Sequence, residues 1–190
     1  RRGTYSASFY ALRRTAPQPG DPFAASPVVF DTAGLTPIDH LTWAEPQHRY
    51  LVGVQLFNLV PDLPARLDDF ATLRRELAIH AARSGACLIE CETVTLDGVP
   101  AVRQLLKMRI PNQPHGLAFS GTYILPKAQC SVVLKAQAIE RGTTGLRESA
   151  VLVRVGFADA YPPNPHAPGV DLSGLGGLPT NVADGPEHDA

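Results

Sequence analysis

The hydrophobic spacing of the sequence changes at Gly85, and this change constrains the fold more than any other feature. Before the glycine, apolar residues recur at steps of four and three, which places their side chains on one face of an α-helix. They are Leu63, Leu67, Phe70, Leu73, Leu77 and Ala81. After the glycine, apolar and polar residues alternate, which is the spacing of a strand with one buried face. The pattern predicts a helix over residues 63–84 that leads into a β-strand.

Both ends of this helix carry end signals. Asp62 is predicted to be the N-cap, because an aspartate side chain can accept a hydrogen bond from a free backbone N–H of the first turn. Pro64 fits the first turn, where its missing N–H costs nothing. Gly85 favours a left-handed stop at the C-terminal end. The sequence therefore predicts one long amphipathic helix.

A β-hairpin is predicted directly after the helix. Residues 86–96 and 99–110 alternate in polarity and flank Asp97-Gly98, the dipeptide that a type I′ turn favours. The apolar residues of the first strand change parity partway along it. A bulge near Glu92 would restore a single buried face.

Further strands are predicted on both sides of this unit. Residues 50–59 are nearly all apolar, which is typical of a strand covered on both faces. Gly53 within that strand indicates a bulge or a close backbone approach. A second hairpin is predicted with strands over 117–125 and 130–140. These elements favour a mainly antiparallel sheet.

A shorter second helix is predicted over residues 143–155. Thr143-Thr144-Gly145 is a helix-entry signal, and Leu146, Ala150 and Val153 have the spacing of one helical face. The competing interpretation is a strand, because β-branched residues alternate at Val151, Val153 and Val155.

The two ends of the chain differ from this central part. Residues 1–50 are irregular and rich in proline, with short strands predicted at 4–12 and 28–30. Residues 156–190 hold six prolines and six glycines in 35 residues. Such a segment becomes ordered only when contacts offset its conformational entropy, so we expect it to wrap the domain or to lie on a partner.

The predicted elements combine into one α+β domain. We expect residues 1–155 to form an α/β/α sandwich around a mainly antiparallel sheet of about six strands, with one long and one shorter helix. Residues 156–190 are then a proline- and glycine-rich C-terminal extension. A chain of 190 residues suits one well-buried core better than two.

Composition excludes several classes of function. The 17 basic and 18 acidic residues give a net charge of -1, so no basic excess is available for nucleic acid. No apolar run reaches the roughly 20 residues that span a bilayer, so we expect a soluble protein without membrane insertion. The odd count of three cysteines favours a reducing compartment and a cytoplasmic location. The excess of arginine over lysine is typical of a GC-rich bacterial genome.

Cys87 and Cys91 are interpreted as buried apolar residues. Four residues apart on one strand face, they would be separated by about 13 Å. A disulfide requires Cα atoms within about 7 Å, so the two cannot bridge, and the same distance prevents them from sharing one zinc ion. Cys130 is the third cysteine.

No nucleophile or metal site is predicted. Cys91 with His80, or Ser120 with a histidine, could form a nucleophile–base pair, but the local patterns of known nucleophiles are missing. The histidines are scattered without the spacing of a metal site. They are His40, His48, His80, His115, His166 and His188. The sequence therefore predicts no catalytic, cofactor-binding or metal-binding residue, and no cofactor.

Three weaker candidates have ordinary alternatives. Glu90 and Glu92, about 7 Å apart on one strand face, could pair their carboxylates, but cross-strand pairing with Arg103, Lys107 or Arg109 is favoured. An anion could bind at residues 143–145 beside Arg147, where a plain helix cap is the alternative. The glycine-rich run 174–179 departs from phosphate-binding loops because no strand precedes it.

Several stretches resemble a known structural group. They are residues 97–103, 119–122, 131–135 and 140–148, with a looser similarity around 184–189. Together with the order strand, helix, hairpin, hairpin, helix, these motifs are similar to uncharacterised bacterial proteins with a PsbP-like α/β/α sandwich domain. The resemblance covers about residues 55–155. It implies a domain that binds proteins or serves in assembly, and it implies no catalytic residues.

The sequence favours a non-enzymatic interaction or assembly domain. Missing catalytic motifs and the unusual extension both point this way, with a protein partner or a homo-oligomer as the expected assembly. The alternative is a small-ligand-binding protein or an enzyme that uses a cleft between the sheet and residues 15–47.

Overall fold

The computed structural model describes residues 29–39, 41–59, 62–110, 112–113, 115–128, 130–142 and 145–184. The strands are β1 (Thr36–Asp39), β2 (Thr42–Ala44), β3 (Tyr50–Phe57), β4 (Ala86–Leu96), β5 (Val99–Arg109), β6 (Leu117–Pro126) and β7 (Ser131–Ile139). The helices are α1 (Phe70–Arg83) and α2 (Leu146–Val155), and a short 3₁₀ helix spans Val182–Asp184. The strand predicted at 4–12 and Val28 lie outside the described residues, and Val29 and Phe30 are not in a strand.

The strands form one antiparallel sheet in the order β1-β2-β3-β7-β6-β5-β4. Strands β4 to β7 are a meander in which each strand pairs with the next, and β3 joins the sheet beside β7. The predicted α+β class and antiparallel sheet are confirmed. The described residues hold seven strands rather than about six, because the short β1 and β2 extend the sheet beyond β3.

The β4–β5 hairpin turns as the sequence predicts. Asp97 and Gly98 both have positive φ, at 50° and 76°, as a type I′ turn requires. The predicted bulge is present, but the register shifts between Leu88 and Glu90 rather than near Glu92. Because the observed bulge comes before the predicted one, the side chains between these two positions point to the face opposite to the one predicted.

Helix α1 begins later than predicted. The side chain of Asp69, not Asp62, accepts a hydrogen bond from the Thr72 backbone N–H at 3.3 Å, so the helix starts at Phe70 and Pro64 precedes it. The end is as predicted, since Gly85 has a φ of +74° directly after the helix. The residues before the helix still pack on the core through Leu63, Leu67 and Ala65.

One side of the sheet, the α1 face, carries the first hydrophobic cluster. Val102, Leu106 and Met108 of β5 point to this face with Leu88 and Cys91 of β4. Helix α1 contributes five residues to this cluster, Leu73, Ala78, Ile79, Ala81 and Ala82. The small alanine side chains let the helix lie close to the sheet, and Leu73 is fully buried.

The opposite side, the α2 face, carries a second cluster. Because neighbouring residues of a strand point to opposite faces, Ala101 and Tyr123 turn away from α1. Val52, Val54, Leu125, Val132 and Leu134 join them. Trp43 covers part of this cluster, and its ring meets Phe30 edge to face with the centroids 5.0 Å apart. The two clusters give the sandwich a core on each side of the sheet.

Strand β3 is covered on one face only, and the prediction of two covered faces is wrong. Val52 and Val54 are buried on the α2 face, whereas Leu51 and Phe57 are about two-fifths exposed. The reason is that α1 lies over the other end of the sheet, against β4 and β5. Gly53 pairs without a register shift, so no bulge is present there.

The C-terminal extension wraps around the free edge of β4. Its hydrogen bonds run from the Asn164 side chain to the Leu88 carbonyl (3.1 Å), from the His166 ring to the Ile89 carbonyl (2.6 Å), and from the Leu178 backbone N–H to the Ala86 carbonyl (3.3 Å). An open strand edge invites pairing with another chain. The extension therefore protects this edge, and it does so within its own chain.

The extension also makes apolar contacts on the α1 face. Ala167 and Leu172 are buried in the first cluster. A Cβ atom on Gly177 would lie 2.7 Å from the Cβ of Ala82, so only glycine lets the backbone pass this close to α1. The glycine-rich run thus has a packing role, in agreement with its poor match to a phosphate-binding loop.

Candidate interaction surface

Helix α2 turns an apolar face towards solvent. Leu146, Ala150 and Val153 lie along one side of the helix, and Leu146 and Val153 are 65% and 80% exposed. The buried side is the opposite one, where Val151 is 4% exposed. The sequence correctly groups the first three residues on one face. That face does not pack on the sheet.

More exposed apolar side chains follow the end of α2, where Gly156 leaves helical geometry with φ of +93° and ψ of 157°. Phe157, four residues after Val153, is 76% exposed, and Tyr161 is 64% exposed after a further four residues. We call Leu146, Ala150, Val153 and Phe157 the α2 stripe. Single exposed apolar residues are common on protein surfaces, whereas a contiguous apolar patch marks an interaction site. The α2 stripe is distinguished by three large apolar side chains that are mostly exposed within residues 146–157.

Glu140 fixes the start of α2 against the sheet. One of its carboxylate oxygens accepts a hydrogen bond from the Gly145 backbone N–H at 3.1 Å, and the other accepts one from the Leu117 N–H at 3.2 Å. The acid therefore joins the beginning of β6 to the beginning of α2. It also occupies the Gly145 N–H, one of the groups at which an external anion was considered, and no described side chain caps the first turn of α2. Thr143 and Thr144 lie outside the described residues.

A buried ion pair holds the extension beneath α2. The Lys107 ammonium donates to both carboxylate oxygens of Asp184, at 2.8 and 2.6 Å, and Lys107 is only 4% exposed. Asp184 also accepts from the Asn181 backbone N–H at 2.8 Å. Lys107 is therefore not the cross-strand partner of Glu90 or Glu92, because the extension covers it and supplies its counter-charge.

A small cleft lies where α2, the extension and the ends of β5 and β6 meet. Its volume is about 180 Å³, and Lys107, Glu148, Tyr161 and Pro179 are among its lining residues. One oxygen of Glu148 is buried there without a hydrogen-bond partner. The residues that line the cleft include no cysteine, serine or histidine, so they do not form a nucleophile–base pair.

The nucleophile candidates are dispersed in the fold. Cys91 is buried in the first cluster, and this burial raises the pKa of its thiol to about 11, which keeps it protonated and unreactive. His80 is exposed on α1, and Ser120 is buried in β6. Cys91 forms no hydrogen bond with a described histidine.

The two cysteines of β4 lie on opposite faces of the sheet. Because the bulge separates them, Cys91 joins the α1-face cluster, while the Cys87 sulfur lies 3.6 Å from the Asn164 side-chain nitrogen. Their predicted placement on one face is therefore wrong, although both are buried and free, as expected. Burial raises the pKa of the Cys87 thiol as well.

The two acidic residues of β4 form ion pairs with the neighbouring strand. The Arg103 guanidinium contacts Glu90 at 2.6 Å and Glu92 at 3.5 Å. This confirms cross-strand pairing as the better interpretation of these carboxylates. Across the described ranges, no three histidine, cysteine, aspartate or glutamate side chains converge as metal ligands would.

The predicted cleft beside residues 15–47 can be compared with the structure only in part, because residues 15–28 and 40 lie outside the described ranges. In the described part, Phe30, Leu35, Leu41 and Trp43 pack against the α2-face cluster. This part of the segment closes over the sheet with apolar contacts. The cleft described above lies elsewhere, beneath α2.

A second exposed apolar area lies on the α1 face beyond the reach of α1. Leu51, Phe57 and Ile139 are partly exposed there, at 40%, 41% and 52%. These side chains belong to β3 and β7, and polar residues such as Gln55 and Gln137 lie between them. This area is less exposed and more interrupted than the α2 stripe.

No helix among the described residues is long and apolar enough to cross a membrane. The sequence matches no protein-family model and no curated protein. Among solved structures, the chain is similar to the Ran-binding protein Mog1p of Saccharomyces cerevisiae, with a TM-score of 0.41 and 10% sequence identity. The match covers 67% of this chain and 75% of that chain. A likeness this distant carries no argument about what the present chain binds.

Proposed function

We propose that this chain is a non-enzymatic protein-interaction domain and that the α2 stripe is its binding surface. The exposure of the α2 stripe is the observation that carries the proposal. Leu146, Val153 and Phe157 are each at least 65% exposed, the first two along one side of α2 and the third just after its end. Removing apolar side chains of this kind from water on binding stabilises the complex.

The free energy available from burying the α2 stripe can be compared with the cost of forming a complex. Full burial of a leucine, valine or phenylalanine side chain is worth about 1.5–3 kcal/mol. With two-thirds to four-fifths of each surface available, the three side chains would contribute about 3–7 kcal/mol together. Association itself costs about 4–15 kcal/mol, so the α2 stripe needs additional polar contacts to form a stable complex.

The surface is attached to the fold at two points. Glu140 fixes the start of α2, and the Lys107–Asp184 pair fixes the extension that packs beneath it. A preformed surface loses little conformational entropy on binding. The anchors therefore support recognition by the folded domain rather than by a segment that orders on contact.

The proposal also includes a family and a cellular location that the sequence predicts. Membership of the bacterial PsbP-like group is supported by the order of strands and helices, and a cytoplasmic location by three cysteines without a disulfide. Neither is needed for the α2 stripe to bind a partner.

Co-purification from the native host tests the function. Val153→Asp combined with Phe157→Asp places two charges in the α2 stripe, and we expect it to remove a protein that co-purifies with the unaltered chain. Thr95→Asp, on an exposed position of β4, is the matched control and should retain that protein. If the stripe variant retains the same protein in the same amount while remaining folded, the α2 stripe is not the binding surface.

A further inference from the structure

The α1 face of the sheet has room for a second helix beside α1. Helix α1 lies over β4 and β5, and Ile124 of β6 joins the same cluster. The midpoint between β7 and β3 lies about three strand spacings, or about 14 Å, from the midpoint between β4 and β5. Packed helices lie about 8–10 Å apart, so a helix over β7 and β3 would pass α1 without a clash.

Six residues of β3 and β7 form this open part of the α1 face, which we call the β3–β7 surface. They are Leu51, Gln55, Phe57, Lys135, Gln137 and Ile139. Leu51 and Ile139 make one end apolar and Phe57 the other, with the polar residues between them. From Leu51 to Phe57 the surface is about 20 Å long, the length of a helix of about 13 residues.

Lys135 is the one cation of the β3–β7 surface. Of the chain's three lysines, Lys107 pairs with Asp184, and Lys127 is exposed between β6 and β7. Lys135 is half-buried and forms no hydrogen bond or ion pair with a described residue. A lysine stem can lie on apolar surface while its ammonium stays in water, so this burial alone does not specify a ligand.

The cross-strand neighbours of Lys135 favour a carboxylate as its ligand. Thr122, directly opposite on β6, is 8% exposed, and its hydroxyl has no hydrogen-bond partner among the described residues. Opposite side chains have Cβ atoms about 5 Å apart, so one carboxylate can accept from both the ammonium and the hydroxyl. Gly53, opposite on β3, leaves space for it, because a Cβ there would meet no atom closer than the Leu41 carbonyl oxygen at 3.7 Å.

We infer that the β3–β7 surface binds an amphipathic α-helix of a partner protein, with a carboxylate between two groups of apolar residues. The apolar groups cover Leu51 with Ile139 at one end and Phe57 at the other, and the carboxylate binds Lys135. The α2 stripe belongs to the other side of the sheet, so this inference goes beyond the proposed function and does not depend on it.

The chain itself does not supply such a helix. On a second copy the same surface presents another Lys135 and no carboxylate, so two copies packed through it bring like charges together. Residues 1–14 hold four arginines and no acid, and residues 185–190 hold no large apolar side chain. Residues 15–28 hold four prolines, which interrupt a helix. The occupant is therefore a segment of a different protein.

Photo-crosslinking from Gln137 in the native host tests the occupant. A photoreactive residue at this exposed position should join the chain to one protein. Mass spectrometry should place the crosslink in a segment that has apolar residues at helical spacing and an aspartate or glutamate among them.

Substitutions at the surface test the carboxylate. Lys135→Glu should lower the yield of this crosslink about tenfold or more, because it places like charges together. Thr122→Val should lower it about threefold, and Lys135→Arg should keep most of it. Lys127→Glu is the matched control and should leave the yield unchanged. Trp43 fluorescence in urea checks that each variant is folded; if Lys135→Glu unfolds, the neutral Lys135→Gln replaces it, with an expected loss of about fivefold.

An unchanged yield in the Lys135 variant, or a crosslink in a segment without aspartate or glutamate, would overturn the inference. A crosslink to residues 1–28 or 185–190 would assign the surface to the chain's own ends, one to a second copy would assign it to self-association, and none from Gln137 would remove the partner. The Val153→Asp, Phe157→Asp variant should keep the Gln137 crosslink. Its loss there would show that the partner depends on the α2 stripe, so the two surfaces succeed or fail separately.

Discussion

Removing the counter-charge of Lys107 should destabilise the domain strongly. Asp184→Asn keeps the shape of the side chain and removes its charge, which leaves the ammonium of Lys107 buried, at 4% exposure, without its paired carboxylate. Breaking a buried pair in this way costs about 3–5 kcal/mol. We expect a loss near the lower end, about 3 kcal/mol, because the extension can lift locally and return Lys107 to water.

Urea denaturation measures this loss directly. Trp43 is the chain's single tryptophan and is buried in the α2-face cluster, so its fluorescence follows the unfolding of the sheet. Hydrogen exchange of the Leu178 backbone N–H, which binds the Ala86 carbonyl on the edge of β4, reports the local release of the extension. The two probes separate global from local destabilisation.

Two controls give the prediction its specificity. Replacing both partners, with Lys107→Met and Asp184→Leu, should recover stability to within about 1 kcal/mol of the unaltered protein, because no buried charge is then left alone. Glu90→Gln, which breaks the partly exposed pair with Arg103, should cost less than about 1 kcal/mol. If Asp184→Asn costs no more than Glu90→Gln, the Lys107–Asp184 pair does not anchor the extension.

Three further predictions concern other parts of the fold. The side-chain hydrogen bond from Arg49 holds the pKa of Glu45 at about 2, below its usual 4.5, so its stabilising effect is complete above pH 4.5 and is lost as the pH falls towards 2. Glu45→Gln should therefore make the urea midpoint less sensitive to pH across that range, and an unchanged sensitivity would contradict this. Gly98→Ala should cost about 1–2 kcal/mol because residue 98 has a φ of +76°, whereas Gly121→Ala, in open space with ordinary backbone geometry, should change the free energy of unfolding by less than about 0.5 kcal/mol. A thiol reagent at pH 8 should modify half-buried Cys130 in the native protein and reach Cys87 and Cys91 only in urea; equal rates for all three would show that the β4 thiols are accessible.

The local elements of the fold could be predicted because they depend on short-range chemistry. A type I′ turn needs positive φ at both central residues, and Asp97-Gly98 supplies them. The stop of α1 needs a left-handed residue, and Gly85 supplies it. The start of α1 was harder to assign, since Asp62 and Asp69 both have side chains that can cap a helix and only Asp69 does so.

The position of the bulge in β4 could not be derived from alternation alone. A bulge near Glu92, as predicted, would bring the apolar ends of the strand to a buried face. The observed bulge between Leu88 and Glu90 does the same. The difference decides where the side chains between them point. It therefore placed Cys87 and Cys91 on opposite faces of the sheet.

The parts of the candidate site that sequence could not place depend on contacts between distant residues. Lys107 and Asp184 are 77 positions apart, and no local pattern connects them. In α2, apolar residues lie on both sides of the helix, with Val151 on one and the α2 stripe on the other. Only the packing of the extension beneath α2 determines which side is buried. That choice leaves the apolar face that the sequence predicts exposed, and makes it part of the candidate interaction surface.

The most direct test of the account is site-specific photo-crosslinking from Val153 in the native host. A photoreactive residue at this position, the most exposed of the α2 stripe, should join the chain to one defined protein. The same photoreactive residue at Thr95 should give no such product. Crosslinking to the same proteins from both positions, or to none from Val153, would contradict the claim that the α2 stripe is a binding surface.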